Sequence, residues 1–219
     1  MKQLSLQELD RELKQAGFNL EKNQINKLYS FLILLLKWGK AINLVGPKDG
    51  VEIFRTLIVD SLYLKEFLVS FSLKKNPRTF DLGAGAGLPG IPLRIVWDAG
   101  EYYLIEVRNK RVVFMRNALS QLELLNTYVL GMRVQEVPEN FLPPDIIISR
   151  AFMPWPKLLP LARNLMGVGQ ASGTLIVMAG SAPPGNKELV PWRVKEIFSY
   201  EVQKKKRYFW ALEFSSAPS

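Results

Sequence analysis

Between Thr79 and Gly90 the chain reads TFDLGAGAGLPG, a short apolar run followed by glycines at 83, 85, 87 and 90. Glycine lets a backbone turn through left-handed conformations and pass close to a ligand, so the run predicts a strand, a cradling loop and the start of a helix. Gly85-x-Gly87-x-x-Gly90, with Glu106 about twenty residues further on, also fits the dinucleotide fingerprint. The pattern alone leaves two cofactor classes open. Asp81 separates them, because it is expected at the carboxyl end of the strand, where the crevice of an open α/β sheet lies. A carboxylate there would repel a pyrophosphate. S-adenosylmethionine has no phosphate and carries a sulfonium and an ammonium group, which an acid attracts by charge and hydrogen bonding. Methyl transfer is therefore expected over hydride transfer by a nicotinamide-dependent oxidoreductase, for which no relay residue is evident.

Other chemistries are excluded by composition. The chain has no histidine and no cysteine, which removes Cys–His nucleophiles, Ser–His–Asp triads and zinc sites with nitrogen or sulfur ligands. No metal site is expected. The lack of cysteine also removes any disulfide framework and fits a reducing cytoplasm. The formal net charge of +9, from 29 Lys+Arg against 20 Asp+Glu, argues for a polyanionic partner, with nucleic acid favoured over a membrane surface. The longest apolar run, Phe31 to Leu36, is too short to span a bilayer, and no signal-peptide layout opens the chain. Residues 1–78 carry 13 basic and 8 acidic side chains, residues 79–150 carry 7 and 8, and residues 151–219 carry 9 and 4. A near-neutral centre between basic flanks suggests a small-ligand site bordered by phosphate-gripping surfaces.

The elements that must position this chemistry follow from spacing. With 219 residues the chain holds one or two domains. Ser5-Leu6-Gln7-Glu8 has capping-box spacing and Gly17 a stop signal. Asn23–Ile42 and Val51–Phe71 show helical periodicity on either side of the breaker run 46–50. Residues 1–76 are expected to form a helical cap and residues 77–219 an α/β domain. Apolar runs at Thr79–Leu82, Tyr102–Glu106, Tyr128–Leu130, Ile146–Ser149 and Leu175–Ala179 alternate with helical segments at Ile91–Trp97, Lys110–Leu124 and Lys157–Met166, the signature of βα units on a parallel sheet. The tail from Glu196 to Phe214 reads as two strands joined at Lys204-Lys205-Lys206-Arg207, an antiparallel pair that closes a mostly parallel, seven-stranded α/β sheet.

The run FDLGAGAGLPGIPLRIV, with NLVG at 43–46, VDSL at 59–62, NKRVVFMRNA and IISRAF, resembles the bacterial 16S ribosomal RNA guanine-N7 methyltransferases, the RsmG or glucose-inhibited division protein B family, over nearly the whole chain. The resemblance implies a Rossmann-like class I methyltransferase fold over residues 77–219, S-adenosylmethionine as donor, and N7 of guanine 527 in the 530 loop of 16S rRNA, free or in the 30S subunit, as acceptor. By matching position, Gly83 and Leu88 belong to the cofactor loop, with Asp81, Gly85 and Gly87 around them. Val134 and Gln135 align with the contact to the adenosine portion. Glu106 stands where the family often has Asp and keeps a carboxylate for the ribose hydroxyls. Arg150 matches the arginine of the SRA motif, with an orienting role toward the cofactor carboxylate or the guanine O6 side. Asn43, Asp60 and Ser61 match the N-L-T and D-S motifs of the cap, and Asn43 is taken as a substrate-side residue. Leu57 and Ala179 replace the family's usual His and Lys. That motivates the alternative of a substrate-shifted or non-catalytic RNA-binding relative.

Guanine N7 has a free lone pair, so its methylation needs positioning rather than a general base. The N7 edge faces the narrow major groove of A-form RNA, so a loop or splayed base is the expected target. Phe152 and Trp155, with Trp38 behind them, are candidates to stack on it. Lys204, Lys205, Lys206 and Arg207 are candidate phosphate contacts, as are Arg108, Lys110 and Arg111; a lysine-rich hairpin tip is also an ordinary way to keep a strand pair soluble. A cytoplasmic monomer without membrane or metal is expected.

Overall fold

Ser5 begins the ordered helices by bonding the Glu8 backbone, while the Glu8 side chain returns to the Ser5 amide. This is the box its spacing predicts. The computed structural model describes residues 4–47, 49–71, 73–167 and 173–214. Helix α1 (Leu6–Gln15) is followed by α2 (Lys22–Gly39), a short α3 (Gly50–Ile53) capped by Asp49, a π turn (Phe54–Ile58) and α4 (Val59–Val69).

Beyond them the chain alternates as its texture predicts: β1 (Arg78–Leu82), α5 (Gly90–Val96), β2 (Glu101–Ile105), α6 (Asn109–Leu122), β3 (Thr127–Leu130), two 3-10 turns (Val134–Glu136 and Glu139–Phe141), β4 (Ile146–Arg150), α7 (Trp155–Met166), β5 (Thr174–Ala179), α8 (Asn186–Leu189), β6 (Trp192–Val202) and β7 (Lys205–Phe214). The sheet order is β3-β2-β1-β4-β5-β7-β6. The first five strands are parallel, and β7 pairs antiparallel with both β5 and β6. The order reverses at β1, and at such a switch point the strand ends open into a ligand crevice.

Side chains alternate across the sheet with period two. Tyr102, Leu104, Ile146 and Ile148 face the layer of α1, α2, α4, α5 and α6, in one core with Leu9, Leu28, Phe31, Leu64 and Phe114. Phe80, Tyr103, Ile147 and Leu175 face the opposite layer, where α7 contributes Leu158, Ala162 and Leu165. The N-terminal helices thus share one apolar core with the sheet. Inside it, the Arg94 guanidinium bonds the carbonyls of Trp97, Asp98, Ala99, Gly100 and Leu125, which fixes the turn from α5 into β2.

The tail departs from expectation. Its first strand starts at Trp192 rather than Glu196, and the reversal lies at Gln203 and Lys204, both in left-handed backbone conformations with φ of 49° and 62°. Lys205, Lys206 and Arg207 are the opening residues of β7 and not a loop. The register sets this: Tyr200 pairs with Arg207, and both side chains reach the same buried carboxylate.

Candidate functional site

Two clefts open at the carboxyl ends of the parallel strands. The first, of about 420 Å³, is lined by Gly83, Glu106, Val107, Arg108, Arg111, Arg133, Val134, Gln135 and Phe152. Gly83 has φ of +67°, and a Cβ there would lie 2.4 Å from the Phe152 ring, so only glycine lets Phe152 form that wall. Gly85 and Gly87 also adopt positive φ. At the end of β2, Glu106 accepts hydrogen bonds from the Gly85 and Arg108 amides at 3.1 and 2.9 Å, and the Arg111 guanidinium lies 3.6 Å away. The loop amide that a pyrophosphate would need is therefore already held by a carboxylate. That favours a ligand whose hydroxyls meet an acid over one bearing phosphates.

Asp81 lies under the loop. Strand alternation turns it toward α5, where its carboxylate accepts the Tyr102 hydroxyl at 3.2 Å and the Gly90 amide. Burial raises its pKa to about 7, with those two hydrogen bonds and the more distant Arg150 working against the rise.

The second cleft, of about 880 Å³, is lined by Asp60, Arg150, Ala179, Tyr200, Lys205, Lys206 and Arg207. Asp60 on α4 is 1% exposed and gathers three elements: it accepts the Tyr200 hydroxyl at 2.9 Å and Arg207 at 2.7 Å, and pairs with Arg150 at 3.3 Å. Burial pushes the Asp60 carboxyl up and the Arg150 guanidinium down, while their mutual attraction opposes both shifts. The cluster leaves two guanidinium groups on one carboxylate, a net positive wall. Ala151, with φ of +51°, borders both clefts. A ligand in one cleft and a ligand in the other would meet there.

The family model for rRNA small subunit methyltransferase G matches residues 24–206. The chain belongs to this family. It is 42% identical over 214 residues to ribosomal RNA small subunit methyltransferase G of Oleidesulfovibrio alaskensis, covering 94% of this chain and 92% of the relative. It is 38% identical over 213 residues to the protein of that name from Lawsonia intracellularis, covering 96% of each. Among solved structures, magnesium protoporphyrin IX methyltransferase from Synechocystis with bound SAM superimposes with a TM-score of 0.54 at 8% identity, covering 94% of this chain and 90% of that one. That likeness establishes the fold, a Rossmann-like class I methyltransferase. Membership makes the chain an enzyme of methyl transfer.

Among the residues singled out by sequence, Gly83, Glu106, Val134, Gln135 and Phe152 meet in the first cleft, and Arg150 with Lys205, Lys206 and Arg207 in the second. Several others go elsewhere. Asp81 faces the loop backbone, not the cleft. Leu88 is 9% exposed and packs into the helical-side core. Asn43 is exposed on the helical layer in a separate pocket with Leu35, Val45 and Ile53. Trp155 opens α7 and lines a different pocket with Pro156 and Trp192, while Trp38 packs edge-on to Phe114 at 5.6 Å between ring centroids. Arg207 is engaged by Asp60 and is not a free cation at a hairpin tip. Asp60 was matched by sequence to the D-S motif of the cap without a role, and the structure places it at the centre of the second cleft. Tyr200, Arg133 and Ala151 carried no local signal.

Proposed function

We propose that this protein methylates N7 of a guanine in the 530 loop of 16S ribosomal RNA, guanine 527 by resemblance, with S-adenosylmethionine as donor. It does so in the cytoplasm as a monomer that uses no metal. The observation that carries the reading is the pair of clefts meeting at Ala151, one walled by a glycine loop and an acid, the other by cations.

The first cleft fits the donor. The Glu106 carboxylate is held by two backbone amides and keeps lone pairs for ribose hydroxyls, Val134 and Gln135 offer an adenine wall, and the glycine loop lets the ligand come close. When bound, the donor would supply an electrophilic methyl group to the N7 lone pair and leave as the neutral thioether, so no proton has to be removed first. A chain without histidine is therefore competent. The remaining work is placement, which is worth on the order of 7–11 kcal/mol when reacting atoms are held in line. Arg150 and Arg207, fixed by Asp60, would orient the acceptor through O6 or a phosphate. Neither should press on N7, which becomes cationic. Lys205 and Lys206 would hold the RNA backbone beside them.

A second reading rests on Ala179, which lines the acceptor cleft where the family commonly has lysine. In that reading the protein binds the small subunit without turning over. Incubation with methyl-labelled donor and 30S subunits lacking the modification, followed by digestion to nucleosides, separates the two. Label in 7-methylguanosine, lost with Arg150→Met, is expected. Label in another nucleoside, or bound subunits without label, would overturn the proposal.

A further inference from the structure

The donor cleft carries cations that its small ligand does not require. Arg108, Arg111 and Arg133 all line it, three cations where S-adenosylmethionine has no phosphate and a single carboxylate to offer them. Arg111 is accounted for: its guanidinium lies over the glycine loop, 3.4 Å from where a Gly85 Cβ would sit, and against Glu106. The other two are different. Arg108 is exposed, and among the described residues nothing takes its guanidinium. Arg133 has only Glu136 at 4.0 Å, with side chains 73% and 61% exposed, a pair too loose and wet to hold it. Val107, 58% exposed, forms an apolar step between buried Glu106 and Arg108. Among the described residues, Glu136 is the one exposed acid paired into this rim. Two poorly engaged guanidiniums and an apolar step suit a sugar-phosphate chain with its bases.

The rim is also continuous with the acceptor cleft, since both border Ala151. We propose that the RNA, after placing its target base in the Arg150–Arg207 cleft, runs on across the mouth of the donor cleft with phosphates on Arg108 and Arg133, and so closes the donor in. This rests on the substrate reading above. RNA and nucleoside ligand then favour each other's binding by one common factor, since coupling between two sites is reciprocal. Arg108 and Arg133 act as clamp residues and take no part in the chemistry.

The test uses labelled S-adenosylhomocysteine, which cannot react, in equilibrium dialysis with the full-length protein, with and without unmodified 30S subunits. Co-sedimentation of protein with subunits is measured in parallel. Subunits are expected to tighten the nucleoside Kd by about 5-fold or more, within the range usual for coupled sites. In the Arg108→Gln/Arg133→Gln variant the gain, read as the ratio of that variant's own nucleoside Kd without and with subunits, should be mostly lost. Subunit binding with an unchanged nucleoside Kd, or a gain that survives in the double variant, would overturn the clamp alone. Failure to co-sediment would overturn the substrate reading and the clamp with it.

Discussion

Replacing Arg150 by methionine should cost stability at high pH and much less at low pH. The side chain sits 3.3 Å from Asp60, with the arginine 18% and the aspartate 1% exposed. Breaking a buried ion pair costs about 3–5 kcal/mol when one charge is left alone. Here Arg207 at 2.7 Å and Tyr200 at 2.9 Å stay on the carboxylate, and the burial penalty on Arg150 itself is relieved. We therefore expect about 1–2 kcal/mol at pH 8, or roughly 2–8 °C in Tm for a chain of this size. Asp60 is already raised above its unfolded value by burial, and loss of Arg150 raises it further. A raised carboxyl contributes stability at low pH that is lost as pH rises through its folded value, so the deficit should be smaller at pH 5 than at pH 8. Urea unfolding followed by circular dichroism at both pH values gives the numbers. Repeating it in an Asp60→Asn background should abolish the deficit, a coupling of about 0.5–3 kcal/mol. An equal deficit at pH 5 and pH 8, or the same deficit without the Asp60 charge, would refute the argument.

Three further outcomes are expected. Asp81 is raised to about 7 from a normal carboxyl value, so its folded form holds a proton that the unfolded chain releases; it lowers stability progressively from about pH 4 to pH 7. Asp81→Asn should flatten that fall by a few kcal/mol, on the order of the shift, and urea midpoints of both proteins across the range check it. Gly83→Ala puts a methyl 2.4 Å from the Phe152 ring at φ of +67°; about 1–2 kcal/mol of backbone strain and a displaced cleft wall should weaken S-adenosylhomocysteine by about tenfold or more, worth at least about 1.4 kcal/mol, by calorimetry. Lys204→Gln, Lys205→Gln and Lys206→Gln together should weaken subunit binding and reduce the slope of log K against log salt by about 2 to 3, if each holds a phosphate; an unchanged slope would assign these lysines to solubility.

The donor half of the site was legible because it is local. One strand, four glycines and an acid on the next strand lie within 28 residues, from Thr79 to Glu106, and each imposes a backbone or charge requirement that shows in residue type. Helix and strand identities followed from periodicity for the same reason. Arg150, Lys205, Lys206 and Arg207 were legible as candidates and Asp60 as a motif match, but their assembly was not, because Asp60 meets Tyr200 and Arg207 across 140 and 147 positions of the chain. Arg207 reads as one more cation in a basic run, and only the β6–β7 register turns it inward. Asp81 is the complementary case: its residue type pointed to ligand charge, and strand alternation points it at the loop it supports. Asn43 and Trp155 had plausible chemistry and no geometric constraint, and both lie in other pockets.

The division of labour across Ala151 is the core of this account, and a crystal structure with S-adenosylhomocysteine bound tests it most directly. The account predicts ribose hydroxyls on Glu106, adenine against Val134 and Gln135, and sulfur directed past Ala151 toward Arg150. A nucleoside lodged instead against Arg207 and Tyr200, with the Glu106 cleft empty, would contradict it.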